Sequence, residues 1–322
     1  MTDVIRVDDR ASVRDVAGVG MAITLRVVGP RPDRLAPRPA VMFCFPGGRM
    51  TKAYFDLDAD GDRSFSFAQA MAQRGIITVL LDHLGVGGST HPHDGFLLHP
   101  DVVADADADA ISAVKARLRA GAFGYPPLSD FRSIGVGHSM GAMLAAFVQT
   151  RHQAFDALAI LGSGPYGLPE HLPKALQDLA HQPQRARDEL EQRLRALGKS
   201  PLAPLPAQRK PQTIFRGGDR RGVAAIAQAR TNLIAMCGMF VMIPGSWAPE
   251  AAGLQIPVLL VFGDQDICKD PAATPALFSG SSDVSLLLLP DTGHSHFIFP
   301  SREQLFETVG DWALQRGRNP SG

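Results

Sequence analysis

Six short segments of almost unbroken apolar character constrain this chain more than any other feature: Ala40–Phe45, Ile76–Leu81, Ser133–Val136, Ala157–Leu161, Val258–Phe262 and Val284–Leu289. Most of them are separated by stretches with helical periodicity, at Ser66–Arg74, Val102–Ala120 and Met140–Thr150. A strand apolar on both faces must be covered on both faces, and strands alternating with helices predict a parallel sheet between two helical layers. A further strand is expected at Ala22–Val28, and an amphipathic helix over Arg302–Gln315 closes the chain.

The alternation stops between Pro165 and Ile256, where no convincing strand is found. That stretch holds a charged helical run (Lys174–Leu197), a Pro-rich link (Pro201–Pro211) and a helix-like segment from Val223 onward. The simplest organisation is an α/β core made of residues 1–164 and 253–322, interrupted by a helical lid over residues 165–252. A chain of 322 residues is long enough for both.

Composition removes several function classes. Apolar residues make up 45% and charged ones 20%, enough for a packed core. Lys plus Arg equals Asp plus Glu at 32 each, so no net field draws the chain to nucleic acid or an anionic membrane. Met1–Arg14 lacks the apolar core of a secretory signal, and Leu233–Pro244 is too short and too interrupted to span a bilayer. Cys44, Cys237 and Cys268 are too few and too scattered for a disulfide framework or a cysteine zinc site. The expected setting is the cytoplasm and the expected partner a small-molecule substrate; the oligomeric state is open, a homodimer included.

Gly137-His138-Ser139-Met140-Gly141 fits G-x-S-x-G, a weak signal alone. Its context strengthens it, because it follows the apolar strand Ser133–Gly137 and opens the helix starting at Met140. A nucleophilic serine needs such a sharp strand-to-helix turn with small neighbours, and a helix N-terminus behind it favours developing negative charge. A serine hydroxyl also needs a base. Leu289-Pro-Asp-Thr-Gly-His294-Ser-His296 follows the last strand, so its loop emerges at the sheet's carboxyl edge, where ligand groups collect in open α/β sheets. His294, preceded by a turn-forming glycine, is the favoured base, with His296 as the alternative or a substrate contact. A carboxylate is needed to fix the imidazole tautomer. Asp266, in Gly263-Asp-Gln-Asp266 after another strand, is the favoured acid and Asp264 the fallback.

Together these segments resemble the α/β-hydrolase superfamily. Phe45-Pro46-Gly47-Gly48 stands where that family carries its oxyanion loop, and Asp82-His-Leu-Gly85-Val-Gly87-Gly-Ser89 looks like its D-x-x-G-x-G-x-S segment. The order Ser, Asp, His is the family's. The resemblance implies an eight-stranded, mostly parallel sheet with a helical lid after strand 6. It also implies an oxyanion hole formed by the amides of Met140 and Gly48, with Gly47 or Arg49 as neighbours that could substitute. Pro46 departs from the pattern, since many members have histidine there. Serine at the elbow argues against the epoxide-hydrolase and haloalkane-dehalogenase branches, which carry aspartate there; ester, lactone, thioester and amide cleavage stay open, and ester or lactone cleavage through an acyl-enzyme without a cofactor is the favoured reading. Acyl transfer, perhydrolysis, C–C hydrolysis and a non-catalytic ligand-binding role are the rival readings.

Other signals rank lower. Asp56-Leu-Asp58-Ala-Asp60-Gly61 imitates the start of a calcium loop, but Phe67 stands where the bidentate Glu belongs, so a solvated acidic loop is expected. Asp101, Asp105, Asp107 and Asp109 read as a solvent-facing helix surface, and His91-Pro-His93-Asp94 as a surface loop. His138, Met239, Phe240, Met242 and Trp247 are candidate substrate contacts, because Met-rich apolar surface suits irregular hydrophobic ligands.

Overall fold

The computed structural model describes residues 4–205 and 215–315. Its main sheet has eight strands in the order β1-β2-β4-β3-β5-β6-β9-β10. β1 (Val4–Val16) and β2 (Val19–Pro30) form an antiparallel hairpin, and β2 pairs antiparallel with β4 (Ile77–Leu81). From β4 onward the neighbours β3 (Ala40–Phe45), β5 (Arg132–His138), β6 (Ala157–Leu161), β9 (Val258–Gly263) and β10 (Val284–Leu289) are parallel.

β3, β4, β5, β6 and β9 have every residue buried. Alternate side chains of β3 enter opposite cores: Val41, Phe43 and Phe45 face the layer of α2 (Pro100–Ala120) and α3 (Met140–His152). Ala40, Met42 and Cys44 face the layer of α1 (Phe67–Gln73) and α9 (Arg302–Gln315). Two-sided burial is why these strands read as continuous apolar runs.

The stretch after β6 contains α4 (Lys174–Gln177), α5 (Pro183–Ala196), β7 (Leu202–Ala203), α6 (Arg220–Ala229), β8 (Leu233–Ile234), α7 (Ala235–Phe240) and α8 (Ala248–Gly253). Its residues Leu176, Leu190, Phe240 and Trp247 belong to the same buried cluster as α2 and α3, whereas Ala225, Ile226 and Ala229 of α6 belong to the cluster of α1 and α9. Among the described residues no helix is long and apolar enough to cross a membrane.

Several expectations need correction. β1 went unread because its polar residues alternate along an edge strand with a solvated face. β10 is only half buried: as the other edge strand it leaves Leu286 and Leu288 exposed. The stretch expected to lack strands pairs β7 with β8, two residues each. The charged run is broken into α4 and α5, with Pro183 opening the second helix. The Pro-rich link lies outside the described residues from position 206 on. Asp56 is not solvated; its buried carboxylate accepts the Ser66 hydroxyl at 2.7 Å and pairs with Arg6, Arg26 and Arg63. Asp107 is no part of a solvent face, since it is fully buried inside α2.

Candidate active site

The loops leaving the carboxyl ends of β3, β5, β9 and β10 meet at one edge of the sheet. Between β5 and α3, Ser139 takes φ 54° and ψ −122°, a sparsely populated conformation for a residue with a side chain. Gly141 permits it, because a Cβ there would overlap the carbonyl oxygens of Phe45 and Pro46. The turn is fixed from the next strand too, where the Leu161 carbonyl accepts the Ser139 amide at 2.8 Å.

His294 Nε2 lies 3.0 Å from Ser139 Oγ, and its Nδ1 lies 2.7 Å from Asp266 Oδ1. Asp266 Oδ2 lies 2.9 Å from Nε2 of the fully buried His296. Burial opposes the charge of Asp266, but the charges and hydrogen bonds of His294 and His296 hold its carboxyl well below the ordinary value of 3.8. It therefore stays an acceptor at neutral pH and leaves Nε2 of His294 free to take the serine proton. Close approach of the next loop completes the packing. A Cβ on Gly162 (φ +59°) would lie 3.1 Å from Asp266 Oδ2 and 3.2 Å from His294 Nδ1.

His138 sits beside this chain and lines the cavity in front of Ser139. Its Nε2 donates to the His294 carbonyl at 2.8 Å, fixing the backbone of the histidine loop. Burial, reinforced by the neighbouring His294 and His296, drives its pKa well below the ordinary imidazole value, so it remains neutral. Asp264, the fallback acid, points elsewhere: its Oδ1 accepts the Thr292 amide at 3.0 Å and braces the same loop.

The cavity has a volume of ≈ 200 Å³. Gly47, Gly48, Ser139 and Met140 form one wall; Leu233, Val241 and Met242 come from the stretch after β6, and Ile267 from the loop after β9. Met140 occupies the first position of α3, where a helix leaves its amide without an intrahelical acceptor. Among the other candidate contacts only Met242 reaches the lining. Met239 packs half-buried against the core outside it, while Phe240 and Trp247 are buried, Phe240 against Phe147 and Trp247 against Phe278. His296 meets Asp266 and lies outside the lining. Leu168, Val241 and Ile267 went unread because nothing in a sequence marks which apolar side chains end at a cavity wall.

The loop after β3 is tied to the stretch after β6. The Ala229 carbonyl accepts the Thr51 amide at 2.8 Å, and the Arg49 carbonyl accepts the Thr231 amide at 2.9 Å. Arg49 Nη1 donates to the carbonyls of Ala203 and Pro204 at 3.2 and 2.9 Å.

Among the described residues one cluster has metal-ligating potential: Asp266, Cys268 and His294, with ligand atoms within 4.8 Å of one another. The donor set fits a metal poorly. Burial pushes the Cys268 thiol well above its ordinary pKa, its Sγ donates to the Gly162 carbonyl at 2.9 Å, and an ion would displace the His294–Asp266 hydrogen bond.

The sequence model of a family described as Alpha/beta hydrolase family matches residues 41–307. None of the curated proteins matches the sequence. Similar solved structures include a hypothetical protein from Pseudomonas aeruginosa, with TM-score 0.62 and 15% identity over 98% of this chain and 95% of that one. A thermophilic esterase from Thermogutta terrifontis gives 0.59 at 14% identity over 96% and 99%. An epoxide hydrolase from Vigna radiata gives 0.58 at 12% identity over 96% and 98%. At such identities the likeness is one of fold.

Proposed function

Since the chain belongs to the alpha/beta hydrolase family, we propose that it is a serine hydrolase cleaving a carboxylic ester or lactone of a small apolar substrate. The observation that carries this reading is the unbroken line from Ser139 Oγ through both nitrogens of His294 to Asp266, opening on an apolar cavity. In the reaction His294 Nε2 takes the Ser139 proton as Oγ attacks the carbonyl carbon, and Asp266 stabilises the imidazolium. The amides of Met140 and Gly48 receive the oxyanion of the tetrahedral intermediate. Its collapse passes the proton from His294 to the leaving alkoxide and leaves an acyl ester on Ser139. Water, deprotonated by His294, then releases the acid.

Serine rather than a carboxylate at the elbow separates this chemistry from epoxide opening. The cavity volume suits a short acyl chain or a small lactone, and residues 165–252 serve as its lid. The test is labelling by a fluorophosphonate together with hydrolysis of short p-nitrophenyl esters. Both are expected in the native protein, and Ser139→Ala should abolish labelling and lower kcat by about 10⁶-fold with the fold intact. Labelling that survives in Ser139→Ala overturns the reading.

A further inference from the structure

His83 and Asp107 form a second histidine–aspartate pair, both side chains wholly buried. Asp107 Oδ2 lies 2.7 Å from His83 Nδ1, and His83 Nε2 lies 3.1 Å from the carbonyl oxygen of Pro46. Asp107 Oδ1 has no hydrogen-bond partner among the described residues, so His83 is the only hydrogen-bond partner of this carboxylate there. We propose that His83, oriented by Asp107, is a positioning residue for the oxyanion loop, clamping the Pro46 carbonyl so that the following amides face Ser139. The proposal rests on the reading of Ser139 as nucleophile.

The loop's geometry explains how a carbonyl clamp aligns an amide. Peptide units are planar, so holding the Pro46 carbonyl fixes the direction of the Gly47 N–H. The next carbonyl, of Gly47, accepts the Met50 amide at 3.2 Å, which fixes the plane that carries the Gly48 N–H. Two successive peptide planes are thereby anchored, one by His83 and one by the loop's own turn. The loop has little room for error, since a Cβ on Gly47 would lie 3.2 Å from Ser139 Cβ. Pro46 has no side-chain donor, and His83, arriving from the end of β4, supplies the bond that an imidazole at position 46 cannot.

Proton accounting supports the direction of the bond. The Pro46 oxygen can only accept, so Nε2 must carry hydrogen. Facing Asp107, the ring is either an imidazolium against a carboxylate or neutral against a carboxylic acid, and both arrangements keep hydrogen on Nε2. Burial works against a charged His83, but the Asp107 charge and the bonds to Asp107 and Pro46 carry its pKa above the ordinary value, while burial raises Asp107. Both directions favour the pair keeping its shared proton. Stability alone gives no reason to bury it, because well-packed apolar residues serve a core as well as or better than an enclosed ion pair.

Three measurements test this. In the native protein, ¹⁵N signals of His83 at neutral pH should show a protonated Nε2; an unprotonated Nε2 overturns the proposal without any variant or substrate. Hydrogen–deuterium exchange of the peptide spanning residues 46–50 should quicken in His83→Met, or in His83→Phe if the methionine variant does not fold, and change little in Asp107→Asn, whose amide can still donate to Nδ1. Unchanged exchange in a folded His83 variant overturns the proposal whether or not the protein hydrolyses esters. In ester hydrolysis, His83→Met should lose about 10- to 100-fold in kcat with little change in KM, because a misaligned donor costs part of the 10²–10³ of a deleted one. Affinity for a trifluoromethyl ketone, whose hemiketal oxygen occupies the oxyanion position, should fall by the same factor. Asp107→Asn should lose no more than about threefold, under 1 kcal/mol. A His83 variant that loses kcat but keeps full affinity for the ketone counts against the proposal. Absence of Ser139-dependent turnover in the native protein would fault only the functional reading, leaving the first two measurements to decide this one.

Discussion

Two of the histidine–aspartate pairs of this molecule, His294–Asp266 and His83–Asp107, have the same ring-to-carboxylate distance, 2.7 Å, yet are expected to do different work. In one, the second ring nitrogen faces the Ser139 hydroxyl at the wall of a cavity; in the other, the second nitrogen faces a main-chain carbonyl in the closed core. A hydroxyl can give up a proton and a carbonyl cannot. The pair is a device for fixing an imidazole, and the atom opposite its far nitrogen decides whether that ring moves protons or holds backbone.

The contrast can be broken by experiment. The largest effect is expected for His294→Ala, a fall of about 10⁶ in kcat, since a nucleophile and its base act as a unit. If His296→Ala does this instead, the base has been misassigned. Next comes Asp266→Asn, about 10⁴ in kcat because the wrong tautomer is held. The same substitution at Asp107 is expected to cost at most the threefold given above; equal losses at the two positions would erase the difference between the pairs. His296→Ala, which strips Asp266 Oδ2 of its partner, should cost about tenfold in kcat, the size of one lost bond to a buried charge.

The smallest effect is one of stability. Because Asp266 is held below its ordinary pKa of 3.8, its ionised form contributes stability that is fully present above 3.8 and is lost as the pH falls through the folded-state pKa. The Tm difference between native protein and Asp266→Asn should stay constant from pH 7 to pH 5, then shrink below about pH 4. A difference that shrinks already between pH 7 and pH 5 contradicts the depressed pKa.

Much of this was legible in the sequence, for reasons that also mark what was not. Strands buried on both faces announce themselves as apolar runs, so β3, β4, β6 and β9 could be read directly, whereas β1 with its solvated face could not. Ser139, Asp266 and His294 each follow a strand within a short glycine-bearing motif, which is why three residues far apart in the chain could be named together. Asp107 was misread because four aspartates in nine residues suggest a wet surface. The missed signal was periodicity: Val103, Asp107, Ile111, Val114 and Leu118 recur at helical spacing and are all buried, which puts the aspartate on the apolar stripe of α2. Substrate contacts were the least legible. Met242 and Phe240 look alike in sequence, and only the way the stretch after β6 folds sends one to the cavity and the other into the core.

The stitching of residues 229–231 to residues 49–51 has a mechanical consequence. If residues 165–252 are a lid and Gly48 an oxyanion donor, as proposed, the lid and the loop that carries the donor share hydrogen bonds and would move together. On that reading, lifting the lid far enough to break those bonds would also loosen the loop that carries the Gly48 amide. Admission of a substrate and readiness to attack it would then be coupled through this short stretch of backbone: a widely opened entrance would be chemically disarmed until the strap reseats.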